Sequence, residues 1–482
     1  MNILKFTSGV MIIISFLISL FFGINAYSSI CLIASIISSF LLILWIKNIN
    51  VNYTNITMFF IVFSTLYGIS GPINTVWGKG LPPLFSTPYN TNVFLISYSI
   101  ANIGLIIGII FYNLINNKSK LSNLFIEDEI KIVINNKKKI LYVAIFLALL
   151  ASIFEIINLI RAGGINVLFA GKAIYQSKTS DLTLTLPSSE IMTIAFAFMC
   201  LYLAITKGDH FKKYKLNIIQ FILCSIPFIC INIILGKRGE LLNLFICIFI
   251  GITYFKPIND IKPKLVIILI TLYVFLAFLY ASRSIICLIP DNPQLFFETA
   301  FKKERLITAL NPGSNEFGAA FGNYSEFYAK YSEDFNPKLG ETYIKGVALL
   351  IPSFLYPGSK PKQITYEFRD EFFISEAKRG RIAGTAFSSI LEAYMNFKYF
   401  GVFFIYLVIG YLLQKFDKKY KYKNLFFMIL YITTFPITIS FHRSAFGDIF
   451  STFLFNALLI YLIVYISDLN NNTIVKIEKK LK

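Results

Sequence analysis

Histidine and tryptophan are nearly missing from this chain, with two of each in 482 residues, and charged side chains make up only 15%. The histidines, His210 and His442, stand far apart. The six cysteines (Cys31, Cys200, Cys224, Cys230, Cys247, Cys287) fall within or at the edge of apolar runs. There is no His/Cys ligand spacing and no Asp-x-Asp pair, so the sequence signatures of a zinc site or a carboxylate-held divalent cation are excluded. The cysteine positions also argue against a disulfide framework. So little charge excludes a soluble globular domain of this length.

What fills the chain is apolar: 56% hydrophobic residues and a mean hydropathy of +0.66. A helix needs about 20 apolar residues to cross roughly 30 Å of hydrocarbon. That criterion predicts an all-α, polytopic membrane protein of about twelve spans, near 7–24, 27–46, 56–72, 93–115, 140–160, 189–206, 217–235, 241–256, 265–282, 399–414, 424–441 and 449–467. The opening Met1-Asn-Ile-Leu-Lys5 and its apolar run lack a small-x-small cleavage site, so the run is expected to stay as a span.

Orientation follows from where positive charge is retained. The two termini with 47–55, 116–139, 207–216, 256–264 and 415–423 hold 24 of the 45 Lys and Arg, against seven in the short loops opposite. Both termini are therefore expected on the cytoplasmic side. A formal charge of +19 is then mostly topological and is no evidence for nucleic acid.

Three regions follow: 1–282 with nine spans, a large outer segment 283–398, and 399–482 with three spans and the C-terminus. Within the large segment, Phe296 to Leu310 has apolar residues at helical spacing, and a second helix is expected from Ser314 to about Tyr331. The aromatic stripe Phe317, Phe321, Tyr324, Phe327 and Tyr328 reads as core before it reads as a sugar platform. The run Val347 to Lys362 is apolar, broken by prolines, and ends on Lys360 and Lys362. It is expected to dip against the membrane surface.

Candidate chemistry gathers at the outer ends of spans. Glu155, near the end of the fifth, either pairs with a cation such as Arg161 or faces a wet cavity, because an intramembrane acid is costly otherwise. Gly236-Lys237-Arg238-Gly239 forms a tight turn. Its cations are either headgroup anchors or a patch for a diphosphate. Arg283 and Arg443 recur at the same outer level, where the positive-inside bias disfavours them, and that recurrence favours the patch.

Gly236-Lys237-Arg238-Gly239, Pro352-Ser-Phe-Leu-Tyr-Pro357-Gly-Ser-Lys360-Pro361, and Gly384 through Ser388-Ser389, Glu392-Ala-Tyr394, Asn396-Phe397 and Gly401 resemble the oligosaccharide repeat-unit polymerases, the Wzy-type O-antigen polymerases. The family pattern would place a glycine sooner after Phe397 than Gly401. The resemblance implies a membrane glycosyltransferase that joins repeat units carried on undecaprenyl diphosphate, at the periplasmic face of the bacterial inner membrane. A chain-length regulator is a candidate partner; cofactors are not expected.

Such a reaction needs a base for the acceptor hydroxyl and cations for the departing diphosphate. The expected base is Glu392, with Glu155 and His442 behind it. Arg238, Arg283 and Arg443 are expected on the diphosphate, then Lys360, Lys362 and Lys237, without a metal. Two alternatives share the layout. An O-antigen ligase would resemble its relatives in using a histidine in the large outer loop, which this loop lacks. A polysaccharide flippase or ion-coupled transporter would carry ionisable residues near the bilayer midplane, whereas here they crowd the span ends.

Overall fold

A computed structural model describes residues 36–37, 39–40, 42–44, 55–76, 91–116, 129–134, 137–170, 174–175, 178, 186–206, 211–254, 263–283, 285–311, 316–331, 334–351, 356, 361–374, 386–421, 423–467, 469 and 473–478. The expected spans 7–24 and most of 27–46 lie outside these residues. Each of the other ten expected spans is a helix: α1 (Ile56–Val76), α2 (Thr91–Asn116), α3 (Lys137–Ala162), α5 (Ser188–Thr206), α6 (Phe211–Ile234), α7 (Arg238–Thr253), α8 (Pro263–Ser282), α14 (Ser389–Lys415), α15 (Leu425–Ser440) and α16 (Phe446–Ile466). Seven of these, α1, α2, α3, α5, α6, α14 and α16, are long and apolar enough to cross a membrane. Between α3 and α5 lies short α4 (Ile165–Ala170), and the large segment adds α9 (Pro293–Ala300), α10 (Lys303–Leu310), α11 (Glu316–Tyr331), α12 (Glu341–Ala348) and α13 (Ile364–Phe372). An antiparallel pair, β1 (Glu129–Ile134) with β2 (Thr473–Glu478), is the sole strand structure among the described residues.

Helix α5 runs through the middle of the bundle, buried on most faces from Ile191 to Tyr202 and packed against α3, α7, α15 and α16. On the periphery α6 exposes Leu216, Ile222 and Leu223, and α16 exposes Leu458, Tyr465 and Ile466. Apolar side chains that stay exposed on long helices suit a hydrocarbon solvent. The most extensive helix pairing is α2 with α14. A Cβ on Gly104 or Gly108 would collide with the Phe403 or Leu407 carbonyl, and one on Gly410 with that of Leu105. The Gly104-x-x-x-Gly108 spacing puts both glycines on one helical face, and small residues are what lets apolar helices touch backbone to backbone.

The large segment is partly helical, as its pattern implies, with two differences. The expected helix from Phe296 to Leu310 is two helices, because Lys302 adopts an extended φ/ψ of −55°/127° as the cap of α10. These helices also lie along α8: the Tyr273 hydroxyl donates to the Leu310 carbonyl at 2.7 Å, and Arg305 donates to that of Ala281 at 3.1 Å. The aromatic stripe of α11 is core, as expected: Phe321, Tyr324 and Phe327 are buried, and the helix packs on α1.

Helix α14 begins ten residues before the apolar run at 399, capped by Ser388, whose hydroxyl accepts the Leu391 N–H at 3.2 Å. Its first turns are nevertheless separate from the span. Phe397 (φ/ψ −144°/22°) and Lys398 (53°/−148°) break the helix at the point where the apolar run starts. Lys398 thus occupies a region of backbone space that is essentially glycine's, within the three residues between Phe397 and Gly401, ahead of which the family pattern would place a glycine.

At the opposite end of the bundle, half-buried Asp417, two residues past the end of α14, ties that helix to α1. Its carboxylate accepts the Ile56 and Thr57 N–H groups at 2.9 and 3.0 Å and the Thr57 and Tyr431 hydroxyls at 2.5 Å each. A carboxylate at a helix N-terminus satisfies donors the helix cannot.

Candidate functional site

The C-terminal end of α3 and the N-terminal ends of α5 and α7 meet around Glu155, which is 1% exposed. Lys237 Nζ lies 3.0 Å from its Oε1, and the Ser188 hydroxyl donates to Oε2 at 2.5 Å. Lys237 also sits 4.3 Å above the buried Tyr175 ring. The expected partner Arg161 is exposed; the cation that meets Glu155 comes from 82 residues away. A buried ion pair of this kind holds the turn between α6 and α7 in place, since either charge alone would be left desolvated.

That turn needs the left-handed Gly236, at φ 62°. A Cβ there would lie 2.6 Å from Cβ of Arg283, so the turn sits directly on the end of α8. Two residues on, the Arg238 guanidinium stacks on the Tyr280 ring at 4.2 Å, and that of Arg283 stacks on the same ring at 4.5 Å. Gly239 in turn makes room for Arg443: an added Cβ would stand 2.9 Å from its Nη2. Three arginines from three chain regions are therefore gathered at one place. Tyr280 joins two of them, and an aromatic face can hold cations close that would otherwise repel.

Arg443 opens onto a cavity of about 190 Å³ between α5, α7, α15 and α16. Its walls carry Glu190, Glu240 and Asp448 with several hydroxyls and the amides of Asn243 and Asn456. Asn456 is 2% exposed, and its Oδ1 has no hydrogen-bond partner among the described residues. None of these three acids, nor Tyr280 or Asn456, stands out by spacing. The acids do share one signal, each lying in the first turn of an apolar helix. That placement ordinarily means favourable interaction with the helix dipole.

Glu392 is buried at the joint between the large segment and the bundle. Its Oε1 accepts the Thr342 hydroxyl at 2.9 Å, and its Oε2 accepts the Phe446 N–H at 2.7 Å. Asn396, one turn on, donates to Thr342 Oγ1 at 2.6 Å and accepts the Gly340 N–H at 3.0 Å. Gly346 and Gly447 let α12 approach α16 at backbone distance, since a Cβ on Gly346 would lie 2.8 Å from Cα of Gly447. The Glu392 and Asn396 positions thus clamp α12, α14 and α16 together.

His442, in the turn between α15 and α16, is enclosed by Phe60, Tyr67 and Phe441, with ring centroids 4.6, 5.6 and 6.2 Å away. Burial pushes its pKa down to about 3, so the ring is neutral at ordinary pH. Lys362 is exposed and pairs with Asp370 at 3.6 Å. Lys360 lies outside the described residues, as do most of Val347 to Lys362 beyond Ile351 and the Gly384 end of the last motif. No group of three or more His, Cys, Asp or Glu side chains among the described residues could hold a metal.

A family model described as O-antigen polysaccharide polymerase Wzy matches residues 4–471. Searches of curated proteins and of solved structures find no match.

Proposed function

Since the chain belongs to the O-antigen polysaccharide polymerase Wzy family, whose members polymerise lipid-linked oligosaccharide units in the membrane, we propose that the arginine cluster and its cavity form the polymerising site. The observation that carries this is the convergence of Arg238 and Arg283 on Tyr280, with Arg443 packed on the adjacent Gly239. Guanidinium groups hold phosphate oxygens in a bidentate fork. The substrate is an oligosaccharide on undecaprenyl diphosphate, and the cluster faces the periplasm in a twelve-span protein of the inner membrane with both termini cytoplasmic. Residues 283–398 then form the outer segment between 1–282 and 399–482. A chain-length regulator is the expected partner.

In the reaction, a hydroxyl oxygen of the incoming unit bonds to the anomeric carbon of the growing chain, and the bond from that carbon to the diphosphate breaks. The diphosphate leaves with the electron pair, and the three arginines stabilise that charge without a metal. Both oxygens of Glu392 already accept from the protein, Glu155 is spent on Lys237, and His442 lies among aromatic rings. We therefore assign these three residues to the frame of the site and place the proton acceptor among the carboxylates of the cavity wall.

Deleting the gene and resolving the surface glycan on a gel tests the reading. Loss of long chains with a single repeat unit remaining on the lipid A core is expected. Loss of every repeat unit would instead identify a ligase, and an unchanged glycan ladder would sink both.

A further inference from the structure

We propose that the cavity between α5, α7, α15 and α16 is the binding site for the acceptor sugar, in which Asp448 takes the proton from the attacking hydroxyl and Asn456 Oδ1 accepts a hydrogen bond from a neighbouring hydroxyl. The inference rests on the polymerase reading and adds to it a sugar site distinct from the arginine cluster.

The geometry that carries this is the side chain of Asn456, 2% exposed on the cavity wall, whose Oδ1 is enclosed and has no partner among the described residues. A desolvated acceptor without a donor is costly, and a ligand rich in hydroxyl groups is the natural partner. About 190 Å³ is several times the roughly 30 Å³ share of one water molecule, enough for a compact polar group such as one sugar ring but not for a lipid tail. The lining agrees: Glu190, Glu240 and Asp448 can each accept from hydroxyls, while Asn243, Ser440 and Thr452 can both donate and accept. The single cation on this wall, Arg443, also belongs to the arginine cluster. A sugar hydroxyl in the cavity is thereby brought beside the position of the leaving diphosphate.

Asp448 is the acid we assign to proton removal because the joint described above fixes its place. It lies two residues after Phe446, whose N–H is held by Glu392, and its own N–H bonds the Ala445 carbonyl at 3.1 Å. The hydroxyl proton passes to the Asp448 carboxylate, the oxygen forms the new glycosidic bond, and the diphosphate departs as an anion to the arginines.

The test uses purified full-length protein, lipid-linked repeat units extracted from cells lacking this chain as substrate, and the same oligosaccharide freed from lipid and diphosphate by mild acid as competitor. Asn456→Leu should raise the competitor's inhibition constant about tenfold, the value of one hydrogen bond to a desolvated group, whereas Asn456→Asp, which keeps an accepting oxygen, should leave it near the wild-type value. Asp448→Asn should leave that constant unchanged and slow turnover about 10²- to 10⁴-fold, the usual contribution of a general base. Arg283→Lys should slow turnover without changing the competitor's constant. An unchanged constant in Asn456→Leu, or near-normal turnover in Asp448→Asn, overturns the assignment while the polymerase reading stands. A wild-type chain that makes no polymer from these units would bring down that reading, and the sugar site with it.

Discussion

At the scale of single residues, the cations at the candidate site differ in what they touch. Lys237 is committed to Glu155, whereas Arg238 and Arg283 share one aromatic face. An ammonium in either arginine position keeps the charge but loses the fork. Arg238→Lys and Arg283→Lys are each expected to lower polymer formation by about 10² at matched membrane abundance, the loss typical of one donor to a developing anion. Full-length glycan from both variants would return these residues to headgroup anchoring.

His442 allows a prediction of opposite kind, about stability. Its pKa falls from 6.5 in the unfolded chain to about 3 in the fold, so below about pH 6.5 the unfolded state binds a proton that the native state refuses. Stability is therefore lost as pH falls toward the folded value. Between about pH 7.5 and about pH 5 this costs about 2 kcal/mol. His442→Asn removes that dependence, so its melting temperature in detergent should fall less over this interval than that of the wild type. Parallel curves would show that the ring is not held neutral.

At the scale of elements, the kink in α14 stores strain at one position. Lys398 holds φ 53°, ψ −148°, with its ammonium 5.4 Å above the Phe335 ring. Glycine occupies this conformation freely. Lys398→Gly is expected to raise stability by about 1 kcal/mol, because relief of the strain outweighs the cation–π attraction that glycine cannot supply. Equilibrium unfolding in mixed micelles measures it, and a destabilised variant would mean that the attraction to the ring is the stronger of the two. The kink matters for the site because it separates the clamp formed by Glu392 and Asn396 from the membrane-spanning part of α14. The expected family motif at Glu392 to Asn396 is thus a joint in the fold.

At the scale of the whole molecule, the positive-inside bias sets the expected sidedness. In a background with all six cysteines replaced, a cysteine at exposed Glu298 is expected to react with a membrane-impermeant thiol reagent in cells whose outer membrane is permeabilised. One at exposed Lys138 is expected to stay unmodified until the inner membrane is opened. The reversed pattern would invert the orientation and place the arginine cluster in the cytoplasm.

Membrane character, the position of every described long apolar helix and the core role of the α11 stripe were legible in the amino-acid order. Each rests on properties averaged over about 20 neighbouring residues, and hydrophobic averages survive whatever the helices later pack against. The same order singled out Arg238, Arg283 and Arg443, because cations at the ends of three apolar runs are conspicuous in an apolar chain. Only tertiary structure decided their surroundings. Glu155 met Lys237 from 82 residues away instead of the nearby Arg161. Tyr280 became the shared platform for two guanidinium groups, and Glu392 became a clamp on Thr342 and the start of α16. The cavity acids and Asn456 look locally like ordinary helix-end and mid-helix polar residues. Their convergence depends on four helix axes that no local average encodes, because a desolvated polar group finds its partner across the bundle, by packing.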